Sequence, residues 1–95
     1  MELFFAPHET DSQHSVADIV SHLQAQQLPC QETPDEWGHW ITFEGRETTI
    51  NFSVDNGVAV FATLDVALAD PADFTSAVES ALIAIGWQAE QIEYE

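Results

Sequence analysis

His14, Asp18 and His22 stand four residues apart. On a helix this spacing lines three side chains along one face, and imidazole with carboxylate is a donor set suited to a divalent metal. Eight residues of helix separate the first from the last, which is about 12 Å at 1.5 Å per residue. One ion cannot reach all three. The competing reading is a solvated face carrying an Asp18–His22 pair, and no metal site is assigned. Cys30 and His39 raise a second chemistry, because an imidazole beside a thiol generates a nucleophilic thiolate. Nothing near them supplies an oxyanion hole or a third, orienting group. Cys30 follows Pro29 and reads as a small packed side chain, and His39 as a strand residue at a sheet rim. The carboxylates are numerous, but no pair has the apolar setting that would split two pKa values into acid and base. No glycine-rich phosphate loop occurs. The expectation is a chain without catalytic residues, cofactor or metal.

Any site must be held by elements that the patterning defines. Val16, Ile19, Val20 and Leu23 follow the i, i+3, i+4, i+7 spacing of one helical face. Ser15 precedes them as an N-cap, with Asp18 three residues on. Asp11 or Ser12 offers a start one turn earlier. Pro29 disfavours helical geometry at Leu28, so the helix ends near Gln27. The second helix carries Phe74, Ala77, Val78, Ala81, Leu82 and Ile85 as its stripe. Asp70 reads as its N-cap, Pro71 as its first residue and Gly86 as the residue that ends it and returns Trp87 to Leu82.

Between the helices lie three strand patterns, "WGHWITF", "RETTINFSV" and "VAVFATLDV". "ELFFA" reads as a short edge strand, "PCQETPDE" as a loop or poor edge strand, and "QAEQIEYE" as an acidic tail with room for a last strand. Two turns set the register. A two-residue Asn56-Gly57 turn pairs Val54 with Ala59. A three-residue Asp55-Asn56-Gly57 loop with a glycine bulge pairs Val54 with Val58 and Phe52 with Val60. The second gathers Ile50, Phe52, Val54, Val58, Val60 and Leu64 on one face and is the register we expect, because a one-residue slip moves every apolar side chain to the wrong side. A two-residue Glu44-Gly45 turn pairs Phe43 with Arg46 and adds Ile41 and Phe43 to that face. A three-residue loop there would turn Trp40 inward instead. The fold expected is a single α+β domain over residues 1–95. It is a two-layer sandwich in which an antiparallel three- to four-stranded sheet, with a meander over 37–66, carries two helices, about 15–27 and 71–85, on one face.

In these registers Trp40 and Phe61 point away from the helices, opposite Thr49 and Asn51 and diagonally across the middle strand. Large aromatics on a sheet face open to water mark a docking surface. The alternatives are cover by the N-terminal strand or the tail, and simple cross-strand stabilisation. Glu47 and Asp65 stand at the rim of this patch. The binding residues expected are therefore Trp40, Phe61, Glu47 and Asp65.

Charge narrows what could dock. Seventeen Asp and Glu face a single Arg46, with no lysine, for a net charge of −16. Direct nucleic-acid binding needs several basic phosphate contacts, and attraction to anionic lipid fails for the same reason. The N-terminal segment lacks a positive n-region and no stretch has the roughly 20 apolar residues of a membrane helix. A single cysteine fits a reducing compartment. The expectation is a soluble cytoplasmic protein. Six Phe, three Trp and one Tyr set it apart from acidic disordered chains.

A field of one sign steers a basic partner. The function expected is a non-enzymatic interaction module that binds a basic protein partner, of the inhibitor, immunity, chaperone or mimic type, or associates with itself. Nucleic-acid mimicry is the weakest of these. A folded chain of this mass exposes about 5,400 Å², or about one acid per 320 Å², whereas duplex DNA carries roughly one charge per 110 Å², and the acids are dispersed along the chain. The alternative is a small domain whose acidity adapts it to a salt-accumulating host and whose function, such as small-ligand binding, is unrelated to charge. Arg46, between Glu44 and Glu47, reads as local relief of a carboxylate cluster.

Overall fold

The computed structural model describes residues 2–8, 13–35 and 38–90. Among them, the chain runs β1 (Glu2–Pro7), α1 (Val16–Ala25), β2 (Cys30–Asp35), β3 (Gly38–Phe43), β4 (Thr49–Asp55), β5 (Val58–Asp65), α2 (Ala72–Ala84) and β6 (Trp87–Glu90). The fold is α+β. The strands form one open antiparallel sheet in the order β2-β3-β4-β5-β1-β6. Six strands exceed the expected three to four. Two come from segments whose local signal is poor: "CQETPD" pairs along its whole length with β3, and Trp87–Glu90 pairs with β1. β1 is consequently flanked on both sides instead of lying at the edge. Trp37, where the expected meander begins, the possible helix start at Asp11 or Ser12, and residues 91–95 of the tail lie outside the described residues.

Both helices end as their sequences dictate, with one exception each. At α1 the Ser15 hydroxyl accepts the Asp18 N–H at 3.1 Å, and Val16, Ile19 and Leu23 are buried. Its C-terminus closes without glycine. Gln27 takes the left-handed conformation (φ 64°), while the N–H groups of Gln27 and Leu28 bond the carbonyls of Gln24 and Leu23, the double closure of a Schellman motif. In α2 the stripe buries Val78, Ala81 and Leu82, but the N-cap position is Pro71, with no side-chain capping bond. Asp70 is therefore not the cap. Gly86, at φ 89°, follows the helix as expected.

The central registers differ from expectation, and the differences share a cause. The β4–β5 connection is the two-residue Asn56-Gly57 turn, both residues at positive φ, and it pairs Asp55 with Val58 and Val54 with Ala59. The pairing then shifts between Ser53 and Val54, so that Ser53 faces Phe61, Phe52 faces Ala62 and Ile50 faces Leu64. Val60 is the extra residue of this bulge. A bulge changes which residues alternate inward: Ala59 is buried ahead of it, and Ala62 and Leu64 beyond it. Val58 and Val60 are only half-buried and Val54 is exposed, so none of the three belongs to the core as expected. The first hairpin is also longer. Residues 44–48 connect β3 to β4 in place of a two-residue Glu44-Gly45 turn, and Trp40 faces Asn51 instead of Thr49.

The inner face carries Phe5, Ile41, Phe43, Ile50, Phe52, Ala62 and Leu64, which join Val16, Ile19 and Leu23 of α1 and Val78 and Leu82 of α2 in one core. Trp87 is buried there and meets Phe52 edge to face, with centroids 5.6 Å apart. His22 Nε2 donates to the Ala81 carbonyl at 3.1 Å and His14 Nε2 to the Ile85 carbonyl at 3.3 Å. These two histidines thus tie α1, and the segment leading into it, to the C-terminal half of α2. Among the described residues, the other side of the sheet carries no helix.

Candidate docking face

The outer face is built by alternation. On β3 it takes Trp40 and Thr42, on β4 Thr49, Asn51 and Ser53, on β5 Phe61, Thr63 and Asp65, and on β1 Glu2 and Phe4. The pairings align these into rows. Trp40 faces Asn51, Asn51 faces Thr63 and Thr63 faces Phe4. One row along, Thr42 faces Thr49, Thr49 faces Asp65 and Asp65 faces Glu2. One row the other way, Ser53 faces Phe61.

Both expected aromatics therefore lie on this face. Each is displaced by one pair from its expected partner, and a displacement of two residues leaves the side unchanged. Trp40 is 38% exposed. Phe61 is half-buried because Phe4 stacks on it, with ring centroids 5.9 Å apart and planes at 24°. This is the cover by the N-terminal strand that the sequence left open, and it makes Phe4 a third aromatic of the face. Trp40 and Phe61 are separated by the width of β4 and one step along it, about 12 Å from strand spacings, so they flank a polar floor of Asn51, Ser53 and Thr63.

A cavity of about 300 Å³ opens on this floor, lined by Glu2, Trp40, Asn51, Thr63 and Asp65. Asp65 thus sits where a rim acid was expected. Glu2 joins it from β1, which sequence reading missed because nothing local shows that β1 lies beside β5. Glu47 does not join. It belongs to the 44–48 connection, where its N–H bonds Asp70.

That connection holds the answer to Arg46. Asp70 Oδ2 accepts the Thr48 N–H at 2.8 Å and the Glu47 N–H at 3.1 Å. The buried Thr48 hydroxyl in turn accepts the Ala67 N–H at 3.1 Å. Hydrogen bonding from the Thr48 side chain, and then from the two N–H groups with help from the Arg46 charge, holds the Asp70 carboxyl below its usual range against a smaller opposing effect of desolvation. Arg46 itself lies over Phe74, its Cζ 4.9 Å from the ring centroid, and Phe74 meets Phe43 edge to face at 5.2 Å. The contact found is with this ring: among the described residues no ion pair joins Arg46 to Glu44 or Glu47, and the carboxylate its charge favours is that of Asp70.

The remaining sequence candidates separate. His14 and His22 use Nε2 on backbone carbonyls, Asp18 is exposed, and no group of three His, Cys, Asp or Glu is placed to hold an ion among the described residues. Cys30 and His39 pair with Phe43 and Pro34 on β2 and β3, four strand positions apart, about 13 Å. His39 Nδ1 instead meets Glu32, and burial pushes the Cys30 thiol up. Cys30 lies on a separate open cavity of about 590 Å³ with Gln24, Pro29, Gln31, Thr42, Phe43 and Glu44. No described helix is long and apolar enough to cross a membrane. No family model, curated protein or solved structure matches the chain.

Proposed function

We propose that the protein is a non-enzymatic interaction module whose outer sheet face docks a basic protein partner. The observation that carries this reading is the exposed Trp40 beside the carboxylates of Glu2 and Asp65, on a face that neither described helix covers. An exposed tryptophan next to two acids in a chain of net charge −16 is electrostatically complementary to a basic surface. Trp is also among the residue types, with Tyr and Arg, enriched at the energetic hot spots of interfaces. Self-association through the same face would bring two charges of −16 together, which repulsion opposes.

The test compares partners retained from the source cells by the immobilised wild-type chain and by a Trp40→Ser/Phe61→Ser variant. A basic protein that binds purified wild type in a defined ratio, and is lost from the variant, supports the reading. Because Phe61 also stacks on Phe4, Trp40→Ser alone serves as the second variant, and unchanged thermal melts establish that its fold is intact. Retention unaffected by either variant, or a partner that is itself acidic, overturns it.

A further inference from the structure

The cavity between β1, β5, β4 and β3 has features that go beyond a general acidic field. Glu2 and Asp65 are direct cross-strand partners, and both line the cavity. Like charges placed opposite each other on neighbouring strands repel. Among the described residues neither carboxylate has an ion-pair partner, and Arg46 is engaged with Phe74. A bound cation would relieve this repulsion and would be held by both acids. Trp40 lines the same cavity from β3, together with the polar residues Asn51 and Thr63.

The combination selects among cations. A volume of about 300 Å³ stands at the low end of small-ligand pockets, enough for one long side chain with some water. A hydrated metal ion would have no use for an indole. A lysine ammonium satisfies the charge as a point. A guanidinium is flat and weakly hydrated, stacks on an aromatic face and donates in parallel to a carboxylate; tryptophan is the strongest of the rings that attract it. Resting on the docking reading above, we infer that this cavity is a socket for an arginine side chain of the partner, with the guanidinium packed on Trp40 and hydrogen-bonded to Glu2 and Asp65, and with Asn51 and Thr63 as further polar contacts.

The test titrates the isotope-labelled full chain with blocked Ala-Arg-Ala, Ala-Lys-Ala and Ala-citrulline-Ala peptides. The readouts are the Trp40 indole N–H signal, assigned by its loss in Trp40→Phe, and the backbone amides. The arginine peptide should shift Trp40, Asn51, Thr63 and Asp65 together. The lysine peptide should bind several-fold more weakly and the neutral citrulline peptide should give no shift. Glu2→Gln/Asp65→Asn should weaken arginine binding at least tenfold. The control Glu44→Gln/Asp55→Asn removes the same net charge elsewhere and should change it less than twofold. Equal binding of arginine and lysine, shifts spread over the acidic surface, or equal losses in both charge variants would overturn the socket. If the peptides fail at this cavity while Trp40→Ser still releases a basic partner, the socket falls and the docking face stands; if Trp40→Ser leaves that partner bound, the docking face itself is wrong.

Discussion

Arg46 places its guanidinium carbon 4.9 Å from the centroid of the Phe74 ring. Phe74 leans edge-on against Phe43 of the core, so the lone cation of the chain covers the seam between the β3–β4 connection and the start of α2. The side chain is exposed, and a contact of this kind contributes about 0.5–1 kcal/mol. Arg46→Ala should lower stability by about that amount in urea melts run at high salt, where the change in net charge is screened. Arg46→Lys should lose less than half of it. No loss in Arg46→Ala would mean that the ring contact contributes nothing.

Asp70 gives a pH dependence of definite sign. Its carboxyl is held below the usual range mainly by the Thr48 side chain and then by the N–H groups of Thr48 and Glu47. A carboxyl whose pKa is lower folded than unfolded adds stability that is fully present above its unfolded value, about 3.9. That stability is lost as pH falls through the folded value. Asp70→Asn should therefore be less stable than wild type at pH 6, and the gap should shrink below about pH 4. A gap that stays constant down to pH 2 would show that the carboxylate charge plays no part.

The bulge separates residues that composition alone makes equivalent. Phe52 is fully buried, and Phe52→Ala should cost about 3–5 kcal/mol. Val60, the extra residue beside Ser53 and Val54, is half-buried, and Val60→Ala should cost under about 1 kcal/mol. Chemical denaturation of the two variants checks the register directly. Equal and large losses would restore Val60 to the core and remove the bulge.

Repulsion among seventeen acids should make stability depend on salt. The melting temperature should rise from low to about 0.5 M sodium chloride, with most of the gain below 0.15 M, where the screening length falls to about 8 Å. A chain that folds well at low salt fits an interaction module. Failure to fold below molar salt would favour the reading of host-wide salt adaptation.

How much of this was legible in the sequence depended on the range of the interaction that decides each feature. Ser15, the Val16–Leu23 stripe, Gly86 and the Val78–Leu82 stripe act within one or two helical turns, and they stand where the pattern puts them. The two-residue Asn56-Gly57 turn was one of two loops the dipeptide allows and not the one expected, and the bulge at Val60 had no local signal. The pattern favours burying valines, and the structure buries Ala59 and turns past Val60. β2 reads only as a loop or poor edge strand because Pro34 and its acids argue against a strand, although an edge strand needs partners on one side only. Asp70 was misassigned because its two candidate sets of N–H donors, those of α2 and those of residues 47 and 48, are distinguished only by tertiary approach. For the candidate face, the placement of Trp40, Phe61 and Asp65 on one side followed from parity, which survives a two-residue shift. Phe4 and Glu2 did not, since their place beside β5 joins residues some sixty positions apart. Gly38 carried no signal either. Its φ of 154° and the approach of Asn51 Oδ1 and the Phe52 carbonyl to within 2.8 Å of where a Cβ would stand are products of the assembled sheet.

The position of β1 has a consequence for biosynthesis. This strand leaves the ribosome before both of its neighbours, residues 58–65 and 87–90. The hairpins of β2 to β5 need only short loop closures and should form first, whereas β1 must wait for a closure of more than fifty residues. During that interval Leu3, Phe4 and Phe5 form an uncovered apolar strand, the kind of segment that nascent chains expose to aggregation. Truncated chains ending before residue 58 should therefore need a holdase that longer chains release, and pulse-labelled hydrogen exchange on refolding protein should protect the amides of β1 last.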